Sequence, residues 1–101
     1  MKAIKKPIKK PIPVDVWQAV AEKQFNGKTF IVIDGADPDE VKQLVAEGYK
    51  SIGNQKDLHF EVETLDGTMR GEIDDYLVRG VQGELYVIKK DIFEQTYNVI
   101  G

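Results

Sequence analysis

Cysteine is absent from this chain, and serine, histidine and tryptophan occur once each, as Ser51, His59 and Trp17. Without cysteine there are no disulfides, thiolate metal sites or thiol nucleophiles, and a reducing compartment fits that absence. A zinc site would have to be assembled from His59 and carboxylates, and no paired-histidine spacing exists. Ser51 has no base that its position in the chain places beside it. No apolar run approaches the roughly 18 residues needed to span a bilayer, and the lysine-rich start is not followed by the apolar segment of a signal peptide. The expectation is a soluble, cytosolic protein with no membrane partner. Acid is missing from the first ten residues, which carry five lysines.

What is present is enough for one core. The chain has 101 residues, 42% of them hydrophobic, which suits one domain and is too short for two. Net charge is −3, but removing the five lysines of Met1 to Lys10 leaves 9 bases against 17 acids, or −8. Residues 1–10 read as a flexible basic arm and 11–101 as a single domain with an acidic surface. The arm runs into a duplication, Lys5 to Ile8 and Lys9 to Ile12, and Pro7, Pro11 and Pro13 block helix there. An acidic body with a short basic arm offers little counterion-displacing surface, so nucleic acid is not an expected partner.

Local patterns predict a mostly antiparallel α+β fold with one main helix packed on the sheet and a short C-terminal helical turn. Val14 and Val16 alternate with Trp17, predicting a first strand at a sheet edge with Trp17 on the opposite face. Asn26-Gly27 marks a turn, and Thr29 to Ile33, apolar on both faces, reads as a central strand. The main helix falls between Asp34 and Gly48. Asp37 is its N-cap, Pro38 its first residue, Glu40 closes a capping box and Gly48 ends it. Val41, Leu44 and Val45 form its apolar stripe. Tyr49 to Ile52 as a further strand would complete a βαβ unit. No glycine-rich phosphate motif accompanies it, and Asp37, Asp39 and Glu40 would repel phosphate there.

After a loop at Gly53 to Asp57, Leu58, Phe60 and Val62 alternate as a half-buried strand, which leaves His59 exposed. Asp66-Gly67 signals a two-residue hairpin that pairs Leu65 with Thr68, Thr64 with Met69, Glu63 with Arg70 and Phe60 with Ile73, with Glu61 opposite Glu72. Asp74-Asp75 reads as a solvated turn. Strands at Tyr76 to Arg79 and Glu84 to Ile88 continue a meander. Asp91 and Glu94 have capping-box spacing before Ile92, Phe93 and Tyr97, which can reach the core from one helical turn.

These residues resemble a family of small proteins encoded by tailed bacteriophages and prophages. The likeness lies in the opening, Lys9-Lys10-Pro11 to Trp17, and in the ordered tail motifs at Thr64 to Gly67, Asp75-Tyr76, Gly80 to Tyr86 and Asp91 to Tyr97. Family members carry Pro-Gly where this chain has Ile73-Asp74, and Pro-Cys-Lys-Pro where it has Val87 to Lys90. The segment Ala19 to Asp57 lies outside the likeness. The motif residues suit turns, a cap and a core, so the resemblance implies a phage origin and a bacterial host cytoplasm without implying a mechanism.

Chemistry is sparse. Asp34, Asp37 and Asp39 could hold magnesium at a strand end, but capping accounts for Asp37 and Glu40 without a metal. No catalytic residue, metal ligand or cofactor is assigned. The favoured expectation is a non-enzymatic accessory protein that binds a host or phage protein, possible targets including a host defence. The alternative is a nucleotide-like small-ligand binder using Trp17, Tyr49 and Tyr76 for stacking. A minor virion role is a third. A homodimer could form through edge strands near Val14 or Asn98.

Overall fold

The computed structural model describes residues 1–6, 13–23, 26–54 and 56–99. Its elements in order are β1 (Lys2–Lys5), β2 (Val14–Lys23), β3 (Thr29–Ile33), α1 (Pro38–Ala46), β4 (Tyr49–Asn54), β5 (Asp57–Thr64), β6 (Gly67–Gly71), β7 (Tyr76–Arg79), β8 (Leu85–Ile88), α2 (Lys90–Thr96) and β9 (Tyr97–Val99). Every strand pair is antiparallel, and with one main and one short C-terminal helix the class is α+β.

β2 organises the larger sheet, whose order is β8-β7-β2-β1-β9 with β3 also paired to β2. Its first half lies between β1 and β7, and its second half carries β3. This reverses two expectations. The strand expected at an edge is central, because the prolines precede it and remove no donor from its ladder. The strand expected at the centre, β3, pairs with β2 alone among the described residues. The segment expected to be a free arm is also part of the sheet: Ala3 is fully buried and Lys2 pairs with Asp15. The rest of that arm and the repeat within it, residues 7–12, lie outside the described residues.

Strand alternation gives β2 two working faces. Trp17 and Ala19 point into a larger core with Ile31, Ile33, Leu44, Tyr49, Phe60, Val62, Leu77, Leu85 and Val87. Val14 and Val16 point the other way into a smaller one with Ala3, Tyr76, Val78 and Phe93. The second sheet, β4-β5-β6, covers the larger core. It meets the first sheet edge to edge at two seams. At one, Ser51 Oγ on β4 donates to the Ile31 carbonyl on β3, 3.0 Å away. At the other, β6 and β8 are spatial neighbours with no ladder between them among the described residues. β3 and β4 therefore belong to different sheets, and the expected βαβ unit does not form.

α1 has the expected N-terminus. Asp37 Oδ1 accepts from Glu40 N at 2.8 Å, Asp37 N donates back to Glu40 Oε1 at 3.3 Å, and Pro38 opens the helix. Its buried face is narrower than the predicted stripe. Leu44 is fully buried and Val41 half-buried against the larger core, but Val45 is 55% exposed. α2 departs further: its N-cap is Lys89, without a side-chain cap bond, and Asp91 lies inside the first turn.

The β5–β6 hairpin closes two residues short of the expected register. Thr64 pairs with Gly67, Glu63 with Thr68, Glu61 with Arg70 and Phe60 with Gly71. Leu65 and Asp66 form the turn, Thr64 Oγ1 accepts from Asp66 N and donates to Gly67 O, and Gly67 takes φ 114°, which only glycine adopts without strain. A shift of two preserves the faces, so Phe60 and Val62 remain inside. It also replaces the expected Glu61–Glu72 opposition with Glu61–Arg70. Gly71 is required for a different reason: a Cβ there would lie 2.1 Å from the Phe60 ring. The stretch Gly53 to Asp57, expected as a loop, is largely ladder, with β4 running to Asn54 and β5 starting at Asp57.

Candidate functional site

The three aromatic candidates do not share a surface. Trp17 and Tyr49 are 2% and 5% exposed in the larger core, where Tyr49 is tilted against Phe60 with centroids 5.9 Å apart. Tyr76 lies on the other face of the sheet, stacked on Phe93 at 3.8 Å, and Phe93 stacks in turn on Tyr97 at 5.1 Å. Burial raises the pKa of both Tyr49 and Tyr76. The Arg79 guanidinium covers the Trp17 ring at 5.5 Å and pairs with Glu47.

Ser51 and His59 are likewise apart. Ser51 pairs with Phe60 and His59 with Ile52, so alternation puts them on opposite faces of the second sheet. Among the described residues, no three histidine and acidic side chains converge on a metal position.

Two polar clusters remain. On the outer face of β5 and β6, His59 is 6% exposed, contrary to the expectation of an exposed strand residue. Its ring is held between the Glu61 carboxylate at Nε2 and the Asp57 carbonyl at Nδ1, both at 3.0 Å. Two acceptors on one imidazole favour the doubly protonated ring, so its pKa is raised, the Glu61 bond being the larger cause and the Asp57 carbonyl the next. Arg70 pairs with Asp57 and, through Nε at 2.6 Å, with Glu72; its hydrogen bond holds the Asp57 carboxyl below the usual range. Each charge here faces an opposite one.

Asp75 is the second surprise. The expected solvated turn residue is 6% exposed. It accepts from Glu72 N at 2.9 Å, Lys89 Nζ at 2.9 Å and Lys90 N at 3.0 Å. Burial alone would raise its pKa, but these donors outweigh burial and lower it. Asp75 thereby supplies the first turn of α2 with the cap that Lys89 lacks.

A concavity lies at the β6–β8 seam. It is a groove of about 770 Å³ between the β5–β6 hairpin and the start of β8. Leu65, Met69, Leu85 and Tyr86 supply its apolar lining, and its charged lining residues, Glu47, Glu63, Asp66 and Glu84, are all acidic. Arg79 neutralises Glu47. Glu63 accepts a hydroxyl from Thr68 at 2.7 Å and Glu84 an amide from Gln82 at 3.0 Å, but neither of these nor Asp66 has a cationic partner among the described residues. Leu65 stands wholly exposed on the rim.

No family model matches this chain, and comparison with curated proteins and with solved structures finds no match either. No helix among the described residues is long and apolar enough to cross a membrane.

The groove residues were not among the sequence candidates. One signal was available: a leucine at the tip of a tight turn, in Thr64 to Gly67, has nothing to pack against within its own hairpin. The seam itself had none, because it joins strands of two sheets through residues that no local pattern relates.

Proposed function

We propose that this chain is a phage- or prophage-encoded accessory protein that acts in the bacterial cytoplasm by binding a host or phage protein without catalysing a reaction, inhibition of a host defence being one such role. The observation that carries this reading is the acidic, apolar-lined groove with an unburied leucine on its rim. A partner surface can bury the exposed leucine and bring counter-charges to carboxylates that have none among the described residues.

A nucleotide-like ligand is the second reading, since the volume falls within the range of small-molecule sites, roughly 300–1,000 Å³. The lining argues against it, because three unneutralised carboxylates repel phosphate. The stacking candidates Trp17, Tyr49 and Tyr76 are in the cores, which leaves Tyr86 as the aromatic residue among the described groove lining.

The test is affinity capture from phage-infected bacteria with tagged wild type and Leu65→Asp, followed by mass spectrometry of proteins and small molecules. The expected result is one stoichiometric protein with wild type that is lost with the variant. A retained metabolite without a protein overturns the proposal in favour of sequestration, and fixed copies of the chain in purified virions would assign it to the particle.

A further inference from the structure

We infer that the β6–β8 seam is a docking slot for an extended, basic segment of a partner protein, in which lysines or arginines alternate with apolar residues. The inference rests on the binding reading above and specifies its partner.

Three independent features define the occupant. The first is charge: among the described residues, Glu63, Asp66 and Glu84 line the groove without cationic partners, and no lysine, arginine or histidine lines it. A cationic segment gains pairing there that an acidic or neutral one does not. The second is the apolar strip of Leu65, Met69 and Leu85 beside those carboxylates, which calls for apolar side chains interleaved with the basic ones.

The third is backbone. β8 ends its sheet, with β7 as its one ladder partner among the described residues. Gly80 N donates to Glu84 O at 2.8 Å, which fixes the ladder phase: Glu84, Tyr86 and Ile88 turn their backbone groups toward β7, and Leu85 and Val87 turn theirs away. Of these two, Leu85 lines the groove, and its backbone N–H and C=O have no ladder partner among the described residues, so an extended segment lying in the groove can pair with them. Alternate side chains of such a segment point to opposite sides, so one set can meet the carboxylates while the other meets the apolar lining residues. A helix would satisfy the charge but leave the edge unpaired.

The test uses two fluorescein-labelled ten-residue peptides, one alternating lysine with leucine and one alternating glutamate with leucine, titrated with the full chain and read by anisotropy. The lysine peptide is expected to bind, to weaken as salt rises, and to lose about tenfold or more in affinity with Glu63→Lys/Asp66→Lys and with Leu65→Asp. The glutamate peptide is expected not to bind. Isotope-edited infrared spectra of the bound lysine peptide should report extended backbone.

Equal binding of both peptides, or binding untouched by the groove variants, overturns the inference. So does a helical bound peptide. Concentration-dependent self-association abolished by the same variants would make a second copy the occupant and overturn the choice of a foreign partner. If the variants capture the same protein from infected cells as wild type does, the binding reading stands and the slot assignment falls.

Discussion

Two sets of carboxylates separated by a few residues of chain have opposite fates. Asp75 is enclosed and receives three donors from the β6–β7 turn and the start of α2. Glu63, Asp66 and Glu84 sit around an open groove with no cation to pair with among the described residues. Residue type does not separate them. What does is the number of donors that the fold brings to each: a carboxylate with its lone pairs filled is a structural joint, and one with acceptor capacity left at an apolar surface is available to a partner.

The comparison breaks most readily at Asp75. Asp75→Ala would leave Lys90 N and Glu72 N unpaired and is expected to cost about 3 kcal/mol in urea unfolding, with α2 detaching first. The acid limb gives the same test without removing the side chain's shape. The folded pKa of Asp75 is lowered, so its contribution is present above the ordinary carboxylate value of 3.8 and is lost as pH falls through the lower folded value. In Asp75→Asn that part of the acid dependence should disappear. An unchanged acid profile would mean that Asp75 is not the joint described.

His59 offers a smaller effect with the opposite sign. Its pKa is raised, so its contribution is complete below the ordinary value of 6.5 and is lost as pH climbs through the higher folded value. The urea midpoint of wild type should therefore decline over that alkaline-going window, and that of Glu61→Gln should decline less. The proton resonances of the ring would locate the titration directly.

A third effect is smaller still and tests the turn that delivers Asp75. Asp74 has φ 77°, the left-handed region that glycine enters freely and other residues at a cost. Its backbone is committed, with N bonded to Ala19 O at 2.7 Å and O accepting from Gln18 Nε2 at 3.1 Å. Asp74→Gly keeps both bonds and should stabilise by about 0.5 kcal/mol, the gain offset in part by the greater freedom of glycine in the unfolded chain.

The sequence was readable where structure is local. The capping box of α1, the existence of the β5–β6 hairpin, the meander of β7 and β8 and the opposed faces of Val16 and Trp17 all depend on residues within a few positions of one another. The failures share one cause, which is dependence on distant pairing. β1 reads Lys-Ala-Ile-Lys, and Ala3 is buried only because β2 and β9 flank it, so Lys2 to Lys5 looks like a tail in isolation. β1 also occupies the edge near Val14 that had been expected to pair between subunits, whereas Asn98 on β9 stays at the outside of the sheet. Asp75 looks like a solvated turn residue in isolation because its Lys89 and Lys90 donors arrive through tertiary structure. The groove was invisible for the same reason, being a gap between two sheets.

The smallest stability effect is the most informative for function. Leu65 is fully exposed and the Asp66 side chain accepts no hydrogen bond among the described residues, so Leu65→Asp and Asp66→Lys should each shift the urea midpoint by no more than about 0.5 kcal/mol in equivalent stability. The hairpin turn is held by Thr64 and by the backbone of Asp66 and Gly67, which neither substitution removes. A protein that used these residues for folding would weaken in the melt. One that uses them for contact keeps its midpoint and loses its partner, which is the reverse of the pattern expected at Asp75, where stability falls first and any loss of binding follows from unfolding. Measuring both quantities for both sites therefore separates the joint from the surface without knowing the partner's name.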